Sequence, residues 1–409
     1  MKVLHITGFI TGGAGIAVKR LHESLLDKGI DSKVLCMFSA DENITREIYP
    51  INKSKSLWEK VTSRLKIDNA NRLIGNLSGE FEAFTLPFSR YKLHEHELVR
   101  DADIIHLHWI SDFVDFPSFF PNVKQPIVWT AHDLNPILGG FHYEEDVRRN
   151  PSFGSLEKKL TVLKHAYIKK SGLKLIGSST VTVDKIKAYI PEANCTYIPC
   201  ILDTVHFKPV EKKIAKAAFD LAEDYLILGT GADDLKNYRK GYWLLRSALS
   251  MLSKEDRSLL KILCFGTMKE NDQSNEAPEI IRFEPVHNKK LHSLLYSCMD
   301  YFVAPSIEET FGLTGTEALL CNTPIIASKT GGMIDYSQNE KSNMLFEPGN
   351  VEQLLSKLKD AITQKRLMKL SGSSPRESIL QWYEEQDPLN QHIKLYQEMY
   401  QKQIRPESS

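Results

Sequence analysis

The sequence predicts an α/β protein made of two parallel-sheet domains, and three observations point there. Short apolar runs of strand length alternate with tracts of helical period along most of the 409 residues. That alternation belongs to parallel sheets covered by helices on both faces. The chain opens on a βαβ unit, and a fresh series of strands begins near Tyr225, beyond a proline-bounded stretch at Cys200–Pro209. Finally, the length is enough for two or three domains, each with its own core.

Taken in order, Val3–Thr7 is strand-like, Gly8–Gly15 (GFITGGAG) is a glycine-rich loop, and Ile16–Lys28 has a helical period closed by Gly29. Lys33–Phe38 is the second strand. Glycines there let backbone approach a ligand closely, although Val18 stands where a dinucleotide fingerprint needs its third small residue. Ser54–Asn76 interleaves Lys55, Lys60, Arg64, Lys66 and Arg72 with Leu57, Trp58, Val61 and Leu65. This reads as a helix packed on its own domain with a solvated basic face, and peripheral contact with a membrane surface is the second reading. Asp103–Trp109 (DIIHLHW) is a strand whose His106 and His108 share one face. Without a third ligand at telling spacing, they read as core or cleft histidines rather than a zinc pair. Asp101-x-Asp103 precedes this strand, at the end opposite to where open α/β sheets bind ligands. Ile127–Thr130 is a strand leading into Ala131-His132-Asp133, and Leu173–Ser178 and Ser179–Tyr189 form a further strand and helix.

In the second half, Tyr225–Thr230 is a strand, Gly231–Gly241 a polar loop carrying Lys236, Arg239 and Lys240, and Tyr242–Leu252 a helix. Lys261–Gly266 and Ile280–Val286 are strands, and Leu291–Cys298 an amphipathic helix. Tyr301–Ala304 is a buried strand stopped by Pro305. Gly312 then opens a helix over Leu313–Leu320, with Glu309 just before it and Glu317 about 7 Å further along its axis. The free amides of Thr310–Thr314 lie at the positive end of that helix, a place suited to a diphosphate, with a carboxylate on either side for neutral hydroxyls. A nucleotide-sugar has that layout. Lys329–Met333 (KTGGM) reads as a glycine turn, Val351–Thr363 and Lys365–Leu370 as two helices, and Ser378–Gln401 as closing helices.

Composition narrows the classes. Apolar residues make up 42% and charged residues 25%, as in ordinary globular proteins, and formal net charge is zero, which argues against a general nucleic-acid binder. No apolar run approaches membrane-spanning length, and MKVLHIT enters a strand directly instead of a signal peptide. The six cysteines contain no CxxC pair and mostly sit among apolar residues, which suits free thiols in a cytoplasmic protein.

The string Glu309-x7-Glu317, with Pro305-Ser306 before it, Phe311-Gly312 inside and Thr323-Pro324 after it, resembles the signature of retaining glycosyltransferases of family 4. Together HLHW, PIVWTAHD and Gly139–Tyr143 (GGFHY) resemble the branch that builds exopolysaccharide, colanic-acid-type or capsular polysaccharide. The resemblance implies the GT-B fold: residues 1–200 as an acceptor-side Rossmann-like domain, 201–377 as the nucleotide-sugar domain, and 378–409 as helices crossing back. It implies hexose transfer with retention from a nucleotide-sugar to a glycan or lipid-linked hydroxyl, in the cytoplasm or at the inner face of the membrane. No metal or other cofactor is expected. By resemblance His132, Glu309 and Lys240 are the catalytic set. Gly12, Gly13, Arg239, Lys240, Glu309, Thr310, Phe311, Gly312, Leu313 and Glu317 contact the donor, and the loop at Pro285–His287 covers its base. The chain departs from the family at the hinge, where Cys200 and Ile201 replace Asn-Gly, and after Thr230, where the phosphate-binding arginine is missing. Arg239 or Lys236 is the expected substitute. Many members of that branch have a cysteine cluster after the histidine motif, and Glu144–Leu156 has none. The alternatives are a nucleotide-sugar hydrolase or epimerase on this fold, a nicotinamide oxidoreductase using GGAG with Asp41 or Glu42, and a carbohydrate-binding module.

Overall fold

A computed structural model describes residues 1–38, 46–51, 74–75, 77–267, 278–286, 288–338, 340–367 and 374–404. The expected amphipathic stretch 54–76 therefore lies outside the described residues except at Ile74 and Gly75, as do Asp41, Glu42 and His287. Two compact units are present: Met1–Ile201 with Asp387–Ser409, and Leu202–Gln386.

The first unit holds β1 (Lys2–Phe9), β2 (Asp31–Phe38), β3 (Ile48–Pro50), β4 (Ile104–Leu107), β5 (Ile127–Ala131), β6 (Lys174–Gly177) and β7 (Cys195–Tyr197). They form one parallel sheet in the order β3-β2-β1-β4-β5-β6-β7. One face, with Leu4, Ile6, Ile105, Leu107 and Trp129, is buried against Phe113, Phe119, Phe141 and Phe153. The other, with Val3, Ile104, Val128 and Ile176, packs on Leu21 and Leu25 of α1 (Gly12–Asp27) and on Tyr396 of the closing helix Pro388–Ile404.

The second unit repeats the plan with β8 (Leu226–Asp234), β9 (Leu260–Thr267), β10 (Glu279–Phe283), β11 (Tyr301–Ala304), β12 (Ile325–Ser328) and β13 (Met344–Phe346), in the order β10-β9-β8-β11-β12-β13. In each sheet the first strand lies centrally and the order reverses beside it, so a crevice opens where consecutive crossovers leave in opposite directions. In the second unit that switch point lies between β8 and β11; in the first it lies between β1 and β4.

Several elements differ from the expected ones. α1 begins at Gly12, not Ile16, because its first turn folds tightly onto the end of β1: a Cβ on Gly15 would lie 2.3 Å from the Ile10 carbonyl carbon. β8 runs on to Asp234 through residues expected to be loop, because β9 continues the ladder after a register shift between Gly231 and Asp234. Val351–Arg366 is one helix instead of two. A short helix, Gly332–Ser337, follows the KTGG turn. Of the closing helices, Pro375–Gln386 belongs to the second unit and Pro388–Ile404 to the first.

Candidate functional site

At the switch point of the second unit two loops meet. The loop after β8 carries Arg239 and Lys240 in a 3-10 turn, and the loop after β11 carries Ile307–Gly312. They are joined through backbone, with the Ile307 amide donating to the Arg239 carbonyl at 2.7 Å. The buried Arg239 guanidinium donates to the Glu308 carbonyl at 3.0 Å and reaches the Glu309 carboxylate at 3.4 Å, while Lys240 Nζ donates to the same carboxylate at 2.7 Å. Burial alone would push the Glu309 carboxyl up, but the charges of Lys240 and Arg239 and the Lys240 hydrogen bond outweigh it and hold the group at about 2. Two cations face one anion, leaving a net positive charge of one in this trio. Lys236 is exposed, so of the two expected substitutes it is Arg239 that stands against Glu309.

The other side of the loop is clamped as firmly. The Glu309 amide donates to Thr330 Oγ1 at 3.2 Å, and the Gly332 amide donates to the Thr310 carbonyl at 3.1 Å. Gly331 has φ +54, and a Cβ there would lie 2.4 Å from the Glu309 carbonyl oxygen, so only glycine lets this backbone come so close. The helix α2 (Leu313–Leu320) starts as the Glu309/Gly312 spacing predicts. Gly312 precedes it in the left-handed region at φ +87, and its carbonyl accepts from the Tyr336 hydroxyl at 2.9 Å. Buried Phe311 packs edge-on against Tyr336, 5.7 Å between centroids. The Gly315 amide donates to the Gly312 carbonyl at 3.1 Å, while the amides of Leu313 and Thr314, at the start of the helix, have no carbonyl one turn back within it. Glu317 lies in the second turn, buried, and accepts from the Tyr296 hydroxyl at 3.3 Å.

The remaining expected residues belong to the first unit. His132 follows β5 and is half-buried. Burial holds its imidazole down at about 4, against a smaller upward pull from Asp133. Asp133 is tied to His142 Nδ1 at 2.6 Å, whose Nε2 faces Thr85 Oγ1 at 3.0 Å. Buried Glu157 accepts from the amides of Gly139 (2.5 Å), Gly140 (2.7 Å) and Phe141 (3.2 Å), and buried Lys164 donates to the carbonyls of Asn135 and Gly139. The motif after His132 is thus a rigid loop held from beneath. Gly12 and Gly13 lie in the first turn of α1 and not in a free loop; a Cβ on Gly13 would meet nothing within 4 Å.

Sequence reasoning missed two features. Thr330 and Gly331, read only as a turn, form half of the clamp on Glu309. His5 joins His106 and His108, and the three place nitrogen atoms within 4.8 Å of one another. Strand alternation in MKVLHIT sets His5 on the face of Val3, which was the available signal. A metal ion fits this trio poorly. Both ring nitrogens of His106 and of His108 already have partners, and the three imidazoles bring no negative charge to offset a buried dication.

The architecture is that of GT-B glycosyltransferase structures. Sucrose-phosphate synthase from Thermosynechococcus elongatus is similar with TM-score 0.70 at 17% identity, covering 98% of this chain and 99% of that one. HepE of Anabaena, solved in complex with UDP and glucose, is similar with TM-score 0.64 at 15% identity, covering 96% and 98%. Residues 235–375, which hold Arg239, Lys240, Glu309 and Glu317, match the family Glycosyl transferases group 1. Among curated proteins, the D-inositol 3-phosphate glycosyltransferase of Actinosynnema mirum is 25% identical over 273 residues, 63% of this chain and 63% of its own length. The family match is confined to residues 235–375, and the chain spans under two thirds of that relative.

Proposed function

We propose that the protein is a retaining glycosyltransferase that moves a hexose from a nucleotide-sugar to a hydroxyl of a glycan or lipid-linked acceptor, in surface-polysaccharide assembly at the cytoplasmic face of the membrane. The observation that carries this reading is the Glu309 carboxylate held between Lys240 and Arg239 at the mouth of α2. When a diphosphate arrives, Lys240, Arg239 and the first-turn amides offset the charge that builds on it as the sugar leaves, with no metal needed. Glu309 then takes hexose hydroxyls, Glu317 takes the ribose, and His132 orients the sugar. None of these side chains is assigned as a nucleophile. The acceptor attacks from the leaving-group face, its proton passing to the departing phosphate. HepE, a fold neighbour, was solved with UDP and glucose, which makes UDP-sugars the first donors to test.

The experiment is a thermal-shift screen of nucleotide-sugars followed by product analysis with and without acceptor. Stabilisation by one donor, and release of nucleotide only when an acceptor hydroxyl is present, is the expected result. Hydrolysis or isomerisation without acceptor would instead establish a hydrolase or epimerase, and an absorbance change with a nicotinamide dinucleotide would establish an oxidoreductase.

A further inference from the structure

The face of the first sheet that packs on α1 changes character along its strands. Val3 and Ile104 form an apolar layer; one pleat further on stand His5, His106 and Val128; beyond them come Thr7, His108 and Thr130, with His132 just past the end of β5. His5 and His106 are directly paired across β1 and β4, and His5, His106 and His108 are buried. Three of these rings form an unbroken chain. His132 Nε2 lies 3.0 Å from His108 Nδ1, and His108 Nε2 lies 2.9 Å from His5 Nδ1. The chain ends blind, because His5 Nε2 is buried without a hydrogen-bond partner. His106 stands beside it, satisfied by Tyr396 (2.6 Å) and Thr130 (2.7 Å).

We propose that His5 and His108 are positioning residues for His132: the three imidazoles form a relay that commits His132 Nε2 inward as an acceptor and fixes its proton on Nδ1. The inference rests on the reading of His132 as the sugar-orienting residue. A neutral chain of this kind has only two arrangements of its protons. In one, the blind end at His5 Nε2 is an N–H with nothing to receive it; in the other it is a lone pair. A buried orphan N–H is the rarer and costlier defect. The second arrangement therefore prevails: His5 Nδ1–H donates to His108 Nε2, and His108 Nδ1–H donates to His132 Nε2. His132 then carries its proton, and so its donor, on Nδ1. That matches a hydroxyl oxygen and makes His132 a hydrogen-bond donor, not a base. The groups facing the relay are His22 from α1, His392 and Tyr396 from the closing helix, and His106, Thr130 and Asp133 from the neighbouring strands. Asp133, the single acid among them, is bonded to His142, and its upward pull on His132 is outweighed by burial. Burial accordingly drives His5 and His108 well below the ordinary histidine range.

The test uses the full-length protein labelled with 15N-histidine and two-bond 1H–15N spectra, with His132 assigned from His132→Gln. The expected result is three neutral rings between about pH 5.5 and 8, with His132 protonated on Nδ1. In His108→Leu, Nε2 of His132 loses its donor; its 15N signal moves from that of a hydrogen-bonded acceptor to that of an unbonded lone pair, and the ring titrates nearer to an ordinary histidine. His5→Phe, which moves the blind end to His108 Nε2 and keeps the His108–His132 bond, leaves His132 protonated on Nδ1 and guards against a simple folding failure of the first variant. With a donor that turns over, His108→Leu lowers kcat about tenfold and leaves donor KM within about twofold, as loss of one orienting hydrogen bond would. His132 protonated on Nε2 in the wild type, an unmoved Nε2 signal in His108→Leu, or a moved signal with unaltered kcat overturns the proposal. So does an equivalent of divalent metal that a chelator removes with movement of the three histidine signals. If no nucleotide-sugar turns over, the functional reading fails while the spectra still decide the relay.

Discussion

Glu309 sits at the balance point of the second unit's site, since its low pKa exists only because Lys240 and Arg239 outweigh burial. Replacing Lys240 by alanine leaves Arg239 to hold the carboxylate, so stability changes little, whereas kcat should fall about 100-fold through lost stabilisation of the leaving diphosphate. Glu309→Ala should cost a similar factor in kcat. Steady-state kinetics beside thermal melts check both, and wild-type turnover in either variant refutes the assigned role. The sign with pH follows from the depressed pKa: the ion pair stabilises the fold above the unfolded carboxyl range near 4.5, and that contribution is lost as pH falls towards 2. Lys164 behaves oppositely. Burial, against the weaker pull of Glu157 and Asp133, lowers its ammonium to about 7 from 10.5, so the unfolded chain binds the extra proton between those values. Its burial therefore destabilises fully below about pH 7, and the penalty fades as pH rises from there towards 10.5. Denaturant unfolding of wild type and Lys164→Met at pH 7 and pH 9 should show wild type gaining relative to the variant at the higher pH; no change would mean that Lys164 is not held neutral.

At the level of elements, the sequence was informative wherever side-chain pattern decides structure. β11, Pro305 and the helix start after Gly312 are placed by an apolar run, a stop and a left-handed glycine. It was silent where main-chain pairing decides. The polar end of β8 is a strand because β9 lies beside it, and Gly331 clamps Glu309 from 22 positions away in the chain. The histidine relay was hidden for a related reason, because His5 and His108 meet only through the pairing of β1 with β4. Two glycines separate these effects experimentally. Gly331→Ala puts a Cβ against the Glu309 carbonyl at positive φ and should destabilise by about 1–3 kcal/mol in denaturant unfolding. Gly13→Ala meets open space and should change stability by less than about 0.5 kcal/mol. If donor or acceptor lies over that turn, the same variant lowers activity although the fold is intact, so a stable and fully active Gly13→Ala removes Gly13 from the site.

The whole molecule carries one strand plan twice, and in each copy the chemistry-bearing residues cluster at the strand ends beside the reversal of strand order. In the second copy, the loop bearing Glu309 is fixed by Arg239 on one side and by Thr330 and Gly332 on the other before any ligand arrives. A preorganised anion site needs little reordering on binding, so its free energy of binding should appear almost entirely as added stability. At a nucleoside diphosphate concentration of 100 times Kd, that amounts to about 2.7 kcal/mol. Hydrogen exchange followed by mass spectrometry locates it. Slowed exchange is expected at 238–241, 307–316 and 330–332 with the nucleoside diphosphate alone, and the effect should vanish in Lys240→Ala. Protection confined instead to residues 8–16 would move the nucleotide to the glycine turn of α1 and favour the dinucleotide reading over glycosyl transfer.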